Sequence, residues 1–563
     1  MNKRWVIKET DQQKLAQLKS ALNIHPALLS LLVQRGISTF DEAKRYFRPS
    51  LSDLHDPFLM KDMDKAIDRI EKAIAQEERI LIYGDYDVDG TTAIATVYSF
   101  FQMLNLRVGY YVPNRYTEGY GISIRGIDWA KENGYSLIIA LDCGIKSIDK
   151  IEYANKQSID FIICDHHLPG NEIPQAVAVL DPKRTDCEYP YKELSGCGIG
   201  FKLIAAYAIK NNLPEESYTK YLDFAVVSIA SDIVPITGEN RVLAFYGLQK
   251  INNNPSAGLK ALMEMNSVKK EFTISDLVFV IGPRINAAGR MDDARNAVRL
   301  LISESEHHAT GNAQILNKHN NHRRETDSSI TVEALAMLQN DPLHTAKKTT
   351  VLFHPHWHKG VIGIVASRLM DTCYRPTIIL TESNGYASGS ARSVAGFDIY
   401  GAICSCGELL EQFGGHRFAA GLSLKMENLE AFIQRFEEVV SSTIEERYLT
   451  PEIEISAELN IDEVTLKFYR ILKQFAPFGP QNMKPVFLTR QVSDTGWSRI
   501  IGEEHLKLSV KKESSISLRG IGFGMASSVD IVKSPGPFDV CYTIEENEWN
   551  GTKRIEMNVQ DLR

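Results

Sequence analysis

Long hydrophobic runs are missing from this 563-residue chain: no apolar stretch approaches the roughly 18 residues that a membrane-spanning helix requires, which excludes a helical membrane protein. Paired cysteine spacing is missing too. None of the eight cysteines forms a CxxC pair, and Cys404-Ser-Cys406 has no second thiol or imidazole pair nearby at zinc-ribbon spacing. Cys143 and Cys164 lie in or beside apolar runs, as small buried residues do. Cysteine use of this kind excludes a disulfide framework and fits a reducing, cytoplasmic home. The start, MNKRWVIKETDQQK, turns polar too soon for a signal peptide. An excess of positive charge is also lacking. The net charge of −8 counts at first against a nucleic-acid partner, but part of that acidity sits in one candidate metal site, where bound cations invert the local charge.

What is present, 44% hydrophobic and 24% charged residues, is the composition of a soluble globular protein with roughly three or four domains. The stretch Arg79–Thr92, RILIYGDYDVDGTT, organises the rest. Ile80, Leu81, Ile82 and Tyr83 form a short β-favouring run ending at Gly84, after which Asp85, Asp87 and Asp89 stand at alternate positions. Three carboxylates at the end of a buried strand repel one another, and a polyvalent cation would offset that repulsion. An EF-hand loop also opens D-x-D-x-D-G, but its twelfth position would be Thr96 rather than Glu, and the entering element reads as a strand. Strand–helix alternation then runs to about Ala230, which predicts a mostly parallel sheet. A helix over 91–104 and a strand over 107–112 lead into PNRYTEGYGIS, a Gly-rich loop carrying Arg115. Two further apolar runs end on Asp142-Cys143-Gly144 and on Asp165-His166-His167. Ligands gather at the carboxyl ends of parallel strands, so the three loops are expected to converge. Asp232, after the apolar segment 224–230, is a fourth candidate, with a helix cap as its structural alternative. The segment SGCGIGFK lacks P-loop spacing and reads as the start of a packed helix.

DYDVDG, DCG, DHH and SDIVP in this order resemble the DHH phosphoesterase superfamily. GPRINAAGRMDDA at 282–294, WHKGVIGIVASRL from Trp357, GSARS at 389–393 and GGHRFAAG at 414–421 narrow the resemblance to its bacterial single-stranded-DNA-specific exonucleases. It covers nearly the whole chain. It implies two divalent ions, Mn²⁺ or Mg²⁺, on Asp87, Asp89, Asp142, His166 and Asp232, with Asp85 a further candidate ligand. Tyr83 stands where several relatives carry a ligating His. His167 is a candidate proton-transfer group or, alternatively, a hydrogen-bonded structural imidazole. The implied activity is 5′-to-3′ degradation of single-stranded DNA to 5′-mononucleotides in repair and recombination. A single-strand-binding protein and a RecQ-type helicase are the partners the resemblance suggests.

The expected architecture is a helical segment at 1–75, a DHH-type catalytic domain at 76–310, a connecting helix at 311–345, a DHH-associated α/β domain at 346–448 and an OB-like β-barrel at 449–563. Residues 317–329 contain no aliphatic or aromatic side chain, and Lys318, His319, His322, Arg323 and Arg324 form a basic stripe there, which alternatively is only a solvated face. In the second α/β domain, the glycines and hydroxyls of the two Gly-rich motifs, with Arg392 and His416, suit recognition of a phosphate. Candidate substrate contacts are therefore Arg115, Arg284, Asn286, Arg290, His358, Ser390, Arg392, Ser393, Gly414, Gly415 and His416, of which His358 rests on the resemblance. His354, His356 and His358 lack nearby thiols or acids at zinc-ligand spacing. The C-terminal part carries five strand-like segments with basic and aromatic residues, including Arg490, Trp497, Arg499, Lys507, Arg519 and Phe523, which suits a single-strand-binding barrel or one used only for packing. Trp549-Asn550-Gly551-Thr552 predicts a type I′ hairpin. Two other functions fit the motifs: a phosphoesterase of the same superfamily acting on small phosphate esters, and a non-catalytic DNA-binding scaffold. The terminal barrel and basic helix argue against the first, and the full set of acids against the second.

Overall fold

Ile80, Leu81 and Ile82 are removed from solvent in strand β1 (Arg79–Gly84), the second strand of a five-stranded parallel sheet. Each such side chain contributes about 1.5–3 kcal/mol on burial, enough to hold the strand even though it ends on acids. The structure, a computed structural model, describes residues 3–266, 271–342, 344–512, 516–549 and 552–563. The sheet order is β2 (Val108–Tyr111), β1, β3 (Tyr135–Leu141), β4 (Asp160–Cys164) and β5 (Ala178–Leu180). Ile80 and Ile82 enter one hydrophobic cluster and Leu81 and Tyr83 another, so both faces are covered, which explains the unbroken apolar run. In this order the chain turns back between β1 and β3, the position where an open parallel sheet leaves a crevice at its carboxyl edge.

The chain divides into two compact units. One comprises 317–453 with the start of the chain through Val6, and the other 7–316 with 454–563. In the larger unit, helices α1 (Gln12–Ala21), α2 (Pro26–Gln34) and α3 (Phe40–Phe47) share a core with the C-terminal strands, whereas α4 (Met63–Ala75) belongs to the parallel-sheet core. The first 75 residues thus divide between two cores. Arg241 fastens them: its buried guanidinium donates to the carbonyls of Tyr46, Phe475 and Ala476 and lies 3.8 Å over the Tyr46 ring.

Helix α5 (Val88–Met103) follows the first acidic loop, α6 (Gly196–Lys210) begins within SGCGIGFK, α7 (Leu222–Ser231) ends on Asp232, and α8 (Gly282–Met291) carries GPRINAAGRM. A 35-residue helix, α9 (Glu306–Asn340), begins before the expected 311 and ends before 345; the division between the two units falls inside it. The sequence there is polar all round, yet Asn320, Arg323 and Asp327 are buried. Arg323 pairs with Asp327 at 2.8 Å and Asn320 at 2.6 Å, while Arg368 reaches Asp327 at 2.7 Å. Arg323 therefore leaves the basic stripe, because an internal ion-pair network takes it out of solvent.

The smaller unit holds a mixed sheet of order β9 (Gln412–His416), β10 (Ala419–Lys425), β8 (Tyr386–Arg392), β7 (Thr377–Ser383), β6 (Thr350–Phe353), with α10 (Ile362–Cys373) following β6. The C-terminal sheet contains β11 (Ala457–Glu458), β12 (Phe487–Asp494), β13 (Arg499–Ile501), β14 (His505–Lys511), β15 (Ser517–Gly522), β16 (Phe538–Trp549) and β17 (Thr552–Leu562). Five of its strands pair in a closed circuit, β12–β16–β17–β15–β14–β12, antiparallel except for β17–β15. That is the connectivity of a small Greek-key barrel. Trp549 stands opposite Thr552; the turn predicted at Asn550 and Gly551 lies outside the described residues.

Candidate metal centre and anion site

Asp85 emerges from β1 fully buried. Its Oδ1 accepts the Gly121 amide at 3.3 Å, and its Oδ2 is buried without a hydrogen-bond partner. Asp87 caps α5, accepting the Gly90 amide at 3.0 Å. The helix thus starts at Val88, three residues before the spacing predicted, because the Asp87 side chain satisfies a first-turn amide. Asp89 consequently lies in the first turn. A Cβ on Gly90 would come within 2.4 Å of the Asp85 carbonyl, so only glycine lets the helix close on the loop. Asp89 reaches across to α6: Oδ2 accepts the Gly196 amide at 2.7 Å, and Oδ1 accepts the Cys197 amide at 2.8 Å and lies 2.7 Å from the Ser228 hydroxyl.

Asp142, at the end of β3, has φ +59°, a left-handed turn that Asp tolerates better than most residues. Its Oδ1 lies 3.1 Å from Nε2 of buried His166, and the same nitrogen is 3.6 Å from Asp89 Oδ2 and 3.6 Å from an Asp232 oxygen. Asp232 caps the C-terminus of α7 and also aims its carboxylate inward, so the cap and the site contact coexist in one residue. Asp165 arranges the DHH loop, accepting the amides of Ile145, His166 and His167 and the His167 Nδ1–H at 2.7 Å. That bond leaves His167 Nε2 facing the Tyr120 hydroxyl at 3.2 Å. Among the described residues, two sets bring ligand atoms within 4.8 Å of one another: Asp89, His166 and Asp232; and Asp142, His166 and His167.

Burial, then mutual repulsion, pushes the carboxyls of Asp85, Asp87, Asp142 and Asp232 up from their ordinary range. Burial also lowers His166. Asp165 behaves oppositely: burial would raise it, but the His167 hydrogen bond and charge and the Ile145 amide hold it at about 2. Burial likewise disfavours charged His167, yet Asp165, Asp232 and Asp89 push it up to about 9. The buried acids therefore hold protons more readily than ordinary carboxylates do, and bound cations would relieve the same repulsion.

Around it, Arg115 stacks over Tyr86 at 4.9 Å, and Tyr116 donates to the Arg290 carbonyl. A Cβ on Gly289 would meet the Tyr86 carbonyl at 3.0 Å, so α8 lies directly against the acidic loop. Arg284 and Asn286 are half-buried on α8, Arg284 donating to the Val280 carbonyl at 2.6 Å.

In the smaller unit, Arg392 and His416 both pair with Ala419, from opposite sides, across β8, β10 and β9. Arg392 donates to Ser390 Oγ at 2.9 Å and to the Ala391 carbonyl at 2.7 Å, and among the described residues no carboxylate pairs with it. A Cβ on Gly363 would lie 2.9 Å from Arg392 Nη2 and from Ser390 Oγ, which puts the N-terminal end of α10 beside them. Gly414 and Gly415 sit on the exposed edge strand with His416. Half-buried His358 accepts the Gly360 amide at 3.1 Å, and burial lowers its basicity. His354 instead stacks on Trp357. Ser393 is turned inward, donating to the Phe397 carbonyl at 2.8 Å. Guanidinium, hydroxyl and helix N-terminus thus gather in the smaller unit, with no carboxylate among the described residues paired to Arg392, whereas the metal cluster lies wholly in the larger unit.

Residues 79–229 match the DHH family, N-terminal domain, 346–442 the DHHA1 domain and 455–561 the RecJ OB domain. The single-stranded-DNA-specific exonuclease RecJ of Bacillus subtilis is 36% identical over 99% of this chain and 70% of its own length. This chain belongs to the RecJ family. The RecJ of Dickeya dadantii is 34% identical over 95% of this chain and 96% of its own. A crystal structure of Thermus thermophilus RecJ with Mn²⁺ superposes with a TM-score of 0.85 at 27% identity, covering all of this chain and 79% of that one. Its Mg²⁺ complex gives 0.80 at 26% identity, over all of this chain and 78% of that one.

The donors in this RecJ-family site fit such ions: hard carboxylate oxygens and one imidazole, no thiolate, and a buried carboxylate oxygen without a partner. Tyr83 contributes no ligand. It stacks on Tyr111 and spends its hydroxyl on the Gly121 carbonyl and the Ser123 amide, holding the loop that reaches Asp85. Sequence reasoning missed Asp181, which ends β5 as the other acids end β1, β3 and β4. Asp181 is fully buried, its Oδ2 lacks a hydrogen-bond partner, and burial pushes it up to about 7. The apolar run before it in AVLDPKR carries the same signal as the other three.

Proposed function

We propose that this chain is a metal-dependent single-stranded-DNA exonuclease that releases 5′-mononucleotides from the 5′ end in DNA repair and recombination. The observation that carries it is the convergence of Asp89, Asp142 and Asp232 on one His166 nitrogen, within the fold of the RecJ family. Asp87, Asp89, Asp142, His166 and Asp232 would hold two divalent ions, Mn²⁺ or Mg²⁺, with Asp85 behind them. When bound, such ions supply Lewis-acid charge at the scissile phosphate and favour ionised water. Asp165 orients the His167 ring and favours its charged form, so a proton stands at Nε2 beside Tyr120. That proton is suited to the departing 3′-oxygen as water's oxygen bonds to phosphorus and the P–O3′ bond breaks.

Arg392, Ser390, His416, Gly414 and Gly415 are assigned to a substrate phosphate, with His358, Arg115, Arg284, Asn286 and Arg290 as further contacts. Ser393 supports the turn rather than the ligand. A polymeric substrate is favoured over a small ester by the C-terminal sheet, where Trp497 and Phe523 are exposed in the connections beside the strands and Arg499 lies opposite Lys507. A single-strand-binding protein and a RecQ-type helicase are the partners this reading suggests, in the cytoplasm. No helix among the described residues is long and apolar enough to cross a membrane. The deciding experiment is digestion of 5′- and 3′-labelled single strands with Mn²⁺, Mg²⁺ or EDTA. Release of 5′ label as mononucleotide, only with metal, is expected; release from the 3′ end, or activity in EDTA, would overturn the proposal.

A further inference from the structure

SGCGIGFK has the look of an anion cradle without P-loop spacing, and its anion is internal. Ser195 caps α6, accepting the Gly198 amide at 3.1 Å, and the free amides of Gly196 and Cys197 close on Asp89. A Cβ on Gly196 would lie 2.6 Å from the Asp142 Cβ, so the turn is pressed between two acids of the site. The third donor comes from elsewhere. Ser228 Oγ, fully buried, is 2.7 Å from Asp89 Oδ1 and 2.6 Å from Ser195 Oγ. A hydroxyl has one proton, and of its two acceptors the carboxylate is the stronger, so Ser228 donates to Asp89 and the Ser195 oxygen is the weaker alternative. The Ser228 carbonyl meanwhile accepts the Asp232 amide at 2.9 Å. One residue therefore ties the acid from the first motif to the acid from the last.

The division of labour within Asp89 gives this consequence. Oδ1 faces the protein and takes two donors, Cys197 N–H and Ser228 O–H. Oδ2 takes only the Gly196 amide and is the oxygen 3.6 Å from His166. We infer that Ser228 is a positioning residue that locks Asp89 as a one-oxygen ligand through Oδ2, and thereby favours small octahedral ions over Ca²⁺. Mg²⁺ requires near-ideal octahedral geometry, whereas Ca²⁺ accepts two-oxygen carboxylates and more ligands. Removing one of the two donors on Oδ1 would let the carboxylate turn both oxygens toward the ion more readily. The inference rests on the metal-centre assignment.

The test is metal binding to purified full-length protein without DNA. Mn²⁺ affinity is measured by electron paramagnetic resonance, Ca²⁺ affinity by competition, and thermal unfolding is recorded in EDTA. Wild type that binds no Mn²⁺ would sink the metal-centre assignment itself. With wild type binding, Ser228→Ala should weaken Mn²⁺ by about 10–100-fold, the range for residues that orient metal ligands, and Ca²⁺ by less. Ser195→Ala leaves Asp89's own contacts in place but removes the cap of the turn that supplies two of them, and should show the same narrowing in smaller degree, which keeps the test available if Ser228→Ala does not fold. Unchanged Mn²⁺ affinity, or equal weakening of both ions, in whichever variant folds would overturn the inference.

Discussion

Asp142→Asn removes one charge from the acidic cluster while leaving its shape intact. Asn occupies the left-handed region at least as well as Asp, so the turn at φ +59° survives. The Asp142 oxygen is 3.1 Å from His166 Nε2, and the Asp89 and Asp232 oxygens are each 3.6 Å from that nitrogen, so neither lies more than about 6.7 Å from Asp142. At an effective dielectric near 20, each ionised neighbour at that limit costs about 2.5 kcal/mol. Partial protonation and water entry reduce the total, so the metal-free variant should be more stable than wild type by ~1–3 kcal/mol near pH 8, raising Tm by ~1–3 °C. The sign follows from linkage. Burial and the surrounding acids raise the Asp142 pKa in the folded protein, so its stabilising contribution is present at low pH and is lost as pH rises through that value. The gain from Asn should therefore be small near pH 4 and grow as pH rises. Mn²⁺ should reverse the order: wild type at a hundredfold excess over Kd gains about 2.7 kcal/mol, while the variant gains little and does not hydrolyse DNA. The assay is calorimetry in EDTA and in Mn²⁺ across that pH range. A metal-free variant less stable than wild type at pH 8, or stabilised equally by Mn²⁺, would refute the reasoning.

Metal-free stability should also carry a His167 component that is complete below about pH 6.5 and is lost as pH rises to about 9, because its folded pKa is raised. The imidazole is 44% exposed, so this amounts to about 1 kcal/mol at most, and His167→Gln should flatten that part of the titration in EDTA. Arg392→Ala should raise KM for 5′-phosphorylated single strands while leaving Mn²⁺ affinity unchanged; an altered metal titration with unchanged KM would contradict its place in the anion site. Replacing both Trp497 and Phe523 by Ala should weaken binding of a long single strand by at least about thirtyfold, at about 1–3 kcal/mol per stacking platform, with hydrolysis of short oligonucleotides retained. Point variants are the proper probe, since deleting the C-terminal part would strip the core from α1–α3. Gly90→Ala should abolish metal binding, because its Cβ would overlap the Asp85 backbone; a variant that binds Mn²⁺ normally would show that the loop can give way.

Sequence by itself determined the elements whose signal is local. Apolar runs ending in Asp85, Asp142 and Asp165 mark buried parallel strands and place the acids at their carboxyl ends, since a strand buried on both faces can only turn polar where it leaves the sheet. Periodicity also marked the C-terminal strands. The tertiary structure alone decided whatever depends on atoms distant in the chain. Asp89 finds three donors more than a hundred residues away on α6 and α7, and Arg323, in a stretch polar on every side, is buried because Asp327 and Asn320 complete its hydrogen bonds. The first 75 residues look like one helical segment but divide between two cores, as hydrophobic periodicity records which face is buried and not what it is buried against. Hydrogen bonding and burial depend on separation in space, and only the folded chain supplies it.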